Sequence, residues 1–349
     1  MRRAPIPRAK TIGRRLAGLL LAAVALAACG RGGDFDIGGS GVIRFSVLSQ
    51  EPADVSARKW RPVLADMETS TGLKVRPLFD RSDAALVQAM RERRTDLGWF
   101  SNFGGLEAVR RAGGEVFART VDPSGDADGG AASVLIVGAK SRLTLDKVLG
   151  CGKTLSLGLG EAFSTAGALA PETYLFAPKS IRPAACFRQV RAGGLASNIA
   201  AVAAGQVDVA ASSTAALALS RRGAGREADA VRVIWTSPIL PQEPIIWRRD
   251  LDPAIKEKLR QFFLTYGQDA GPAAAAQRAN LARIGIGGFK SADDSHLLPI
   301  REMEATRVWM DAKASGDKGR IDAARKALGA ITVQRQDLEA RTRAPAAAQ

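Results

Sequence analysis

The sequence predicts an α/β protein built as two lobes with a ligand cleft between them. After residue 42, short apolar runs alternate with longer segments of helical spacing, the rhythm of strands and crossover helices. From about residue 155 the same rhythm starts again on a smaller scale. The chain has 349 residues, 46% of them hydrophobic, enough apolar surface for two cores.

Taken in order, 42–48 reads as a strand, 60–69 as a helix and 73–79 as a strand. Residues 83–93 read as a helix, because Leu86, Val87 and Met90 fall on one face. Strand 96–100, helix 103–111 and strands 115–121 and 133–137 complete the first series. The second opens with strand 155–159, which enters a helix at Ser164. Strand 187–190, helix 198–204, strand 207–211, helix 214–220 and strand 231–236 follow, then a helix over 253–266. Such an order argues for mainly parallel sheet, with ligands at the carboxyl ends of the strands. The tail, 299–343, is helix-forming with an interruption at Ser315-Gly316. Its Met303, Val308, Trp309, Ile321, Leu328 and Leu338 suit either a helix packed on the body or a homodimer contact through the C-terminal helices.

The N-terminus sets the compartment. Six basic residues lie before residue 16, and the apolar run 16–28 is too short for a finished membrane span but has the build of a secretory signal. It ends Leu26-Ala27-Ala28-Cys29-Gly30, which resembles the lipobox of bacterial lipoproteins, in which the cysteine becomes the lipidated first residue. Cleavage after residue 28 leaves 29–41 as a Gly-rich tether on a lipid-anchored, exported protein held at a membrane. Arg14-Arg15 also fits twin-arginine export, so the export route stays open. In an oxidising compartment the remaining cysteines, Cys151 and Cys186, read as a disulfide, with two buried thiols as the alternative. The formal charge of +15 is scattered, with no run of five like charges, which argues against nucleic acid as a partner.

Several motifs fail on inspection. Gly150-Cys151-Gly152-Lys153-Thr154 resembles the end of a phosphate loop, but Lys147 stands where its first glycine belongs, and a strand follows instead of a helix. Gly158-Leu159-Gly160 lacks the third glycine of a dinucleotide fingerprint, because Phe163 occupies that place. A single histidine, His296, leaves Ser164 and Thr165 without a base–orienter pair and gives no metal set, so neither an enzyme, a cofactor nor a metal site is expected.

The junction from Leu157 to Gly167 is different. Ser164 and Thr165 stand where a helix begins, and free backbone N–H groups at such a start bind a tetrahedral oxyanion. The plainer reading is that Ser164 caps the helix.

With these stretches in hand the chain resembles the phosphonate-binding proteins of ABC importers, within the wider phosphate/phosphite/phosphonate group, from about Val42 to beyond Met303. The resemblance rests on 84–91 followed by Asp96-Leu97-Gly98-Trp99-Phe100, on Ser164-Thr165-Ala166-Gly167 with Pro171, and on 198–202 with 205–210. It extends to Ile234-Trp235-Thr236-Ser237-Pro238 with Pro241 and Pro244 as the return strand, and to Leu297-Leu298-Pro299-Ile300-Arg301. It implies a type II periplasmic-binding-protein fold that captures a phosphonate or related phosphorus oxyanion and hands it to permease and ATPase subunits. A periplasmic sensor module for the same oxyanions is the alternative function. The implied ligand residues are Ser164, Thr165, Ala166, Asn198, Asp208, Phe100 and Asp83. Asp83 and Phe100 stand where the family pattern has tyrosines, Ala166 replaces a serine, and Gly194-Leu195-Ala196 replaces a Gly-His-Glu stretch, which implies a remodelled organic pocket. The implied lobes are 42–137 with a return over 231–298, and 138–230, followed by a helical tail over 299–349.

Overall fold

The computed structural model describes residues 41–49, 51–123, 130–222 and 227–343. The expected signal segment, Cys29 and the tether up to residue 40 lie outside them. Eleven strands are found among the described residues: β1 (Val42–Leu48), β2 (Lys74–Asp80), β3 (Leu97–Trp99), β4 (Gly114–Val121), β5 (Ala132–Gly138), β6 (Ser156–Gly160), β7 (Gln189–Gly193), β8 (Val209–Ser213), β9 (Val231–Ile239), β10 (Pro244–Arg248) and β11 (Gly288–Ser291). They form a six-stranded sheet, β11-β4-β10-β3-β1-β2, and a five-stranded sheet, β7-β6-β8-β5-β9. Each is the centre of one lobe, so the expected α/β, two-lobe architecture is what the chain adopts.

The sheets are mixed rather than mainly parallel. β1 runs parallel to β2 and β3, and β6 parallel to β7 and β8, but β10, β11 and β5 run against their neighbours. A strand that enters a lobe from the cleft starts at the cleft. It must therefore oppose strands whose carboxyl ends point there.

The same topology moves two expected boundaries. β5 and β9 both belong to the five-stranded sheet, so the chain changes lobe between β4 and β5 and again over 240–243, not at 137/138 and 230/231. The return strand is Pro244–Arg248 rather than the 234–238 stretch. Its proline is the first strand residue, where a missing N–H does least harm to a ladder.

Packing follows from the sequence pattern. Helix Ala53–Thr71 turns Trp60, Val63, Leu64 and Met67 to the first sheet and stops at Gly72, whose φ of 69° suits glycine. There Phe117 stacks on Trp247 at 3.8 Å, and Phe45 meets Trp60 and Phe263 edge-on. β5 is buried on both faces, Leu135 and Val137 facing one cluster, Val134 and Ile136 the other, which explains its unbroken apolar run. Cys151 and Cys186 are joined in a disulfide.

The tail is a helical hairpin, Leu298–Ser315 and Lys318–Arg343, broken at Gly316 with φ 72°. Its first helix lies across both lobes. Glu304 pairs with Arg110 of the first at 2.6 Å, while Arg307 pairs with Glu172 of the second at 3.0 Å. Thr173 Oγ1 adds a hydrogen bond to Met303 O at 3.1 Å. Among the described residues no helix is long and apolar enough to cross a membrane.

Candidate functional site

A cavity of about 730 Å³ lies between the lobes, at the carboxyl ends of β1, β3, β6 and β8. The first lobe contributes Asp83, Trp99, Ser101 and Asn102. The second contributes Glu161, Ser164, Thr165, Ala166 and Ser213, and the second crossing contributes Gln242 and Glu243.

The helix start at Ser164 is set by close backbone packing. Gly160 lies against Gly167 so tightly that a Cβ on Gly160 would fall 2.6 Å from the Gly167 Cα, which leaves room for glycine alone at both places. Phe163, at φ 69°, makes the sharp turn between strand and helix. Its ring sits edge-on to Phe103 at 5.7 Å, and its carbonyl accepts the Ser101 hydroxyl at 3.1 Å. The helix then opens with a wide π turn, Thr165–Leu169. Ser164 Oγ caps it by accepting the Gly167 N–H at 3.1 Å. The N–H groups of Thr165 and Ala166 have no acceptor within reach among the described residues. This is the donor arrangement an oxyanion needs, and the positive end of the helix dipole adds to it.

The Thr165 hydroxyl is used differently. It accepts the Phe103 N–H at 2.7 Å and donates to Ser101 Oγ at 3.3 Å, so it ties the second lobe to the start of helix Asn102–Arg111 in the first.

Two acids face this region, Asp83 buried and Glu243 half-buried. Asp83 Oδ1 accepts the Ser101 N–H at 3.1 Å. Burial pushes its carboxyl up to about 7; Ser101 opposes the shift and nearby Glu161 adds to it. Glu243 lies deep in the cleft, though its side chain keeps some contact with the cavity. Burial, and then the charge of Asp83, push it up to about 8. The Trp99 indole N–H, buried and otherwise without a partner, pulls the other way.

Of the residues expected to bind ligand, Ser164, Thr165, Ala166 and Asp83 line the cavity, whereas Asn198, Asp208 and Phe100 do not. Asn198 Nδ2 donates to Leu159 O at 3.1 Å and Ala211 O at 2.9 Å, so its amide brackets β6 and β8 from inside the lobe. Asp208 stands at the amino end of β8, away from the cleft, and accepts the Ser156 N–H at 2.8 Å and hydroxyl at 2.7 Å. Burial raises its carboxyl, but these bonds and Arg188 outweigh that and hold it below the usual range. At the other end of the strand Ser213 reaches the cavity. Phe100 points into the apolar cluster of Leu86, Met90 and Leu297. Successive strand residues face opposite sides, so the neighbour of cavity-lining Trp99 turns inward.

Sequence reasoning missed Glu243 and Trp99. The signal for Glu243 was an acid held between Pro241 and Pro244 ahead of an apolar run. His296 is half-buried at the crossing, its Nε2 2.6 Å from Gln242 O, and burial holds its pKa below the usual value. Among the described residues no cluster of three metal-ligating side chains is found.

The periplasmic substrate-binding protein family of phosphonate ABC transporters matches residues 45–297. The "Phosphonates-binding periplasmic protein" of Escherichia coli (strain K12) is 35% identical over 298 residues, 85% of this chain and 86% of that one. A binding protein component of an ABC phosphonate transporter from Pseudomonas aeruginosa superposes with a TM-score of 0.79 at 33% identity, over 85% of this chain and 99% of that one. PhnD1 from Prochlorococcus marinus (MIT 9301), solved in complex with methylphosphonate, shares the fold with a TM-score of 0.65 at 19% identity, over 75% of this chain and 97% of that one.

Proposed function

Because the chain belongs to the phosphonate-binding family of periplasmic ABC-transporter proteins, we propose that it seats the phosphorus oxyanion of its ligand on the helix start Ser164–Ala166. The organic end then lies along Trp99 toward Glu243. The observation that carries this reading is the pair of unanswered N–H groups, Thr165 and Ala166, at a helix start in the wall of the interlobe cavity. Such donors are arranged before the ligand arrives, so little ordering cost accompanies binding.

Glu243 and Asp83 supply carboxyl groups to the remodelled pocket. An organic end that carries an ammonium or hydroxyl donor finds a partner in Glu243, and a 2-aminoethylphosphonate-like ligand fits the cavity's chemistry. Cleft closure around the ligand would present the closed form to the permease, a population shift set by contacts in both lobes. The ligand leaves unchanged, as expected of a transport component. We also place the mature chain on a lipid anchor at Cys29, by the lipobox pattern of the sequence.

The test is titration calorimetry of the mature chain with phosphate, phosphite, methylphosphonate, 2-aminoethylphosphonate and sulfate, repeated on Ser164→Ala. Loss of the hydroxyl and of the cap should weaken the best phosphonate by about 1–2 kcal/mol. Unchanged affinity in the variant would remove the oxyanion from the helix start.

A further inference from the structure

Asp83 stands beside the oxyanion seat without a cation to balance it. It is 5% exposed, and no ion-pair partner is found for it among the described residues. Its carboxyl is pressed against helix Asn102–Arg111, where a Cβ on Gly104 would fall 2.0 Å from Oδ1. Ser101 links it to the helix start of the other lobe. The Ser101 N–H donates to Asp83 at 3.1 Å, and Ser101 Oγ lies 3.3 Å from Thr165 Oγ1.

An oxyanion on the N–H groups of Thr165 and Ala166 therefore meets a buried carboxyl. Two anions at close range in a low-dielectric site repel strongly, and a proton between them removes the conflict. Nearby acids add to this: Glu161 comes from the turn before the helix and Glu243 from the second crossing. Glu51 and Asp122 also line the cavity, as do the cations Arg81, Lys59, Arg222 and Arg283, of which Lys59 is paired with Glu51. Glu243 is raised further, to about 8, so it already carries its proton where Asp83 ionises, and Asp83 is the acid left to take one up near pH 7.

We propose that Asp83 belongs to the oxyanion site as a carboxylic acid, donating its proton to the bound oxyanion, so that each ligand is captured together with one proton. This rests on the oxyanion seat at Ser164–Ala166. The O–H bond of Asp83 forms with a proton from solvent, and no other bond is made or broken. The ligand class is an oxyanion that keeps a free acceptor oxygen after meeting the two backbone donors.

The experiment is calorimetry of 2-aminoethylphosphonate and methylphosphonate at pH 8 in buffers of different ionisation enthalpy, on the wild type, Asp83→Asn, Glu243→Gln and Ser164→Ala. The wild type should take up about one more proton per ligand than Asp83→Asn, and above pH 7 its affinity relative to that variant should fall about tenfold per pH unit. Glu243→Gln should keep the uptake. Equal proton counts in the wild type and Asp83→Asn overturn the proposal, as does an uptake that vanishes in Glu243→Gln instead. Unchanged affinity in Ser164→Ala contradicts the oxyanion seat separately from the role of Asp83. Infrared difference spectra of the wild type need no variant. Binding should add a protonated-carboxyl C=O band, and its absence overturns the proposal even if Asp83→Asn fails to fold.

Discussion

At the scale of single residues, the cleft couples stability to pH. Asp83 and Glu243 have folded-state values raised to about 7 and about 8. A raised carboxyl adds stability that is fully present below its unfolded value, near 4, and is lost as pH rises through the folded value. The ligand-free chain should therefore be less stable at pH 9 than at pH 5, by several kcal/mol from this pair. Carboxyls held low, such as Asp208 and Asp250, lose their contribution below about pH 4 and do not confuse that window. Denaturant titrations of the wild type and of an Asp83→Asn, Glu243→Gln double variant at both pH values measure the difference, and the variant should show much less of it. Thr165 gives a second expectation. Thr165→Val removes the acceptor of the buried Phe103 N–H, so stability should fall by about 1–3 kcal/mol. Denaturant midpoints compared with those of Ser164→Ala separate this lobe contact from the oxyanion seat. The residues were only partly legible in the sequence. Ser164, Thr165 and Ala166 could be read because a helix start after a strand is a local pattern. Asn198, Asp208 and Phe100 were misplaced because which end of a strand faces the cleft depends on the sheet, which no local window contains.

At the scale of elements, two connections hold the cleft. The second crossing, 240–243, is pinned on the first lobe by Asn102 Nδ2, which donates to Pro241 O at 2.7 Å, and by Thr120, which bonds Gln242 and Glu243. It delivers Glu243 to the cavity, so the acid proposed to meet the ligand rides on a segment joining the lobes. The disulfide is the other. It closes the stretch between Cys151 and Cys186, 35 residues apart, and loop-closure entropy gives it about 4 kcal/mol. Reduction, or a Cys151→Ser, Cys186→Ser pair, should lower the melting temperature clearly and leave phosphonate affinity nearly intact, because neither cysteine lines the cavity. Most helices were legible from their spacing, 83–93 against the observed Asp83–Arg91 for example. β10 was not, because four buried residues behind two prolines look like the end of a loop. β11 and helix Pro272–Arg283 were missed as well; an Ala-rich helix with a weak apolar stripe carries little periodicity to read.

At the scale of the whole molecule, both lobes are tied on one side and parted on the other. Phe103, Phe163 and Thr165 join them across the seam, and the first tail helix grips Arg110 in one lobe and Glu172 in the other. The tail helix thus bridges the two lobes on this side of the cavity. The two-lobe plan was legible because the strand–helix rhythm occurs twice; the crossings were displaced because an entering strand looks the same in sequence whichever sheet receives it. The central claim, that a phosphonate is held at the helix start between the lobes, is tested most directly by a crystal structure of the mature chain with 2-aminoethylphosphonate. The expected result is a phosphonate oxygen within hydrogen-bond distance of the Thr165 and Ala166 nitrogens, with the amino end toward Glu243. A phosphorus atom lodged elsewhere in the cleft, with those two N–H groups facing only water, would contradict the account.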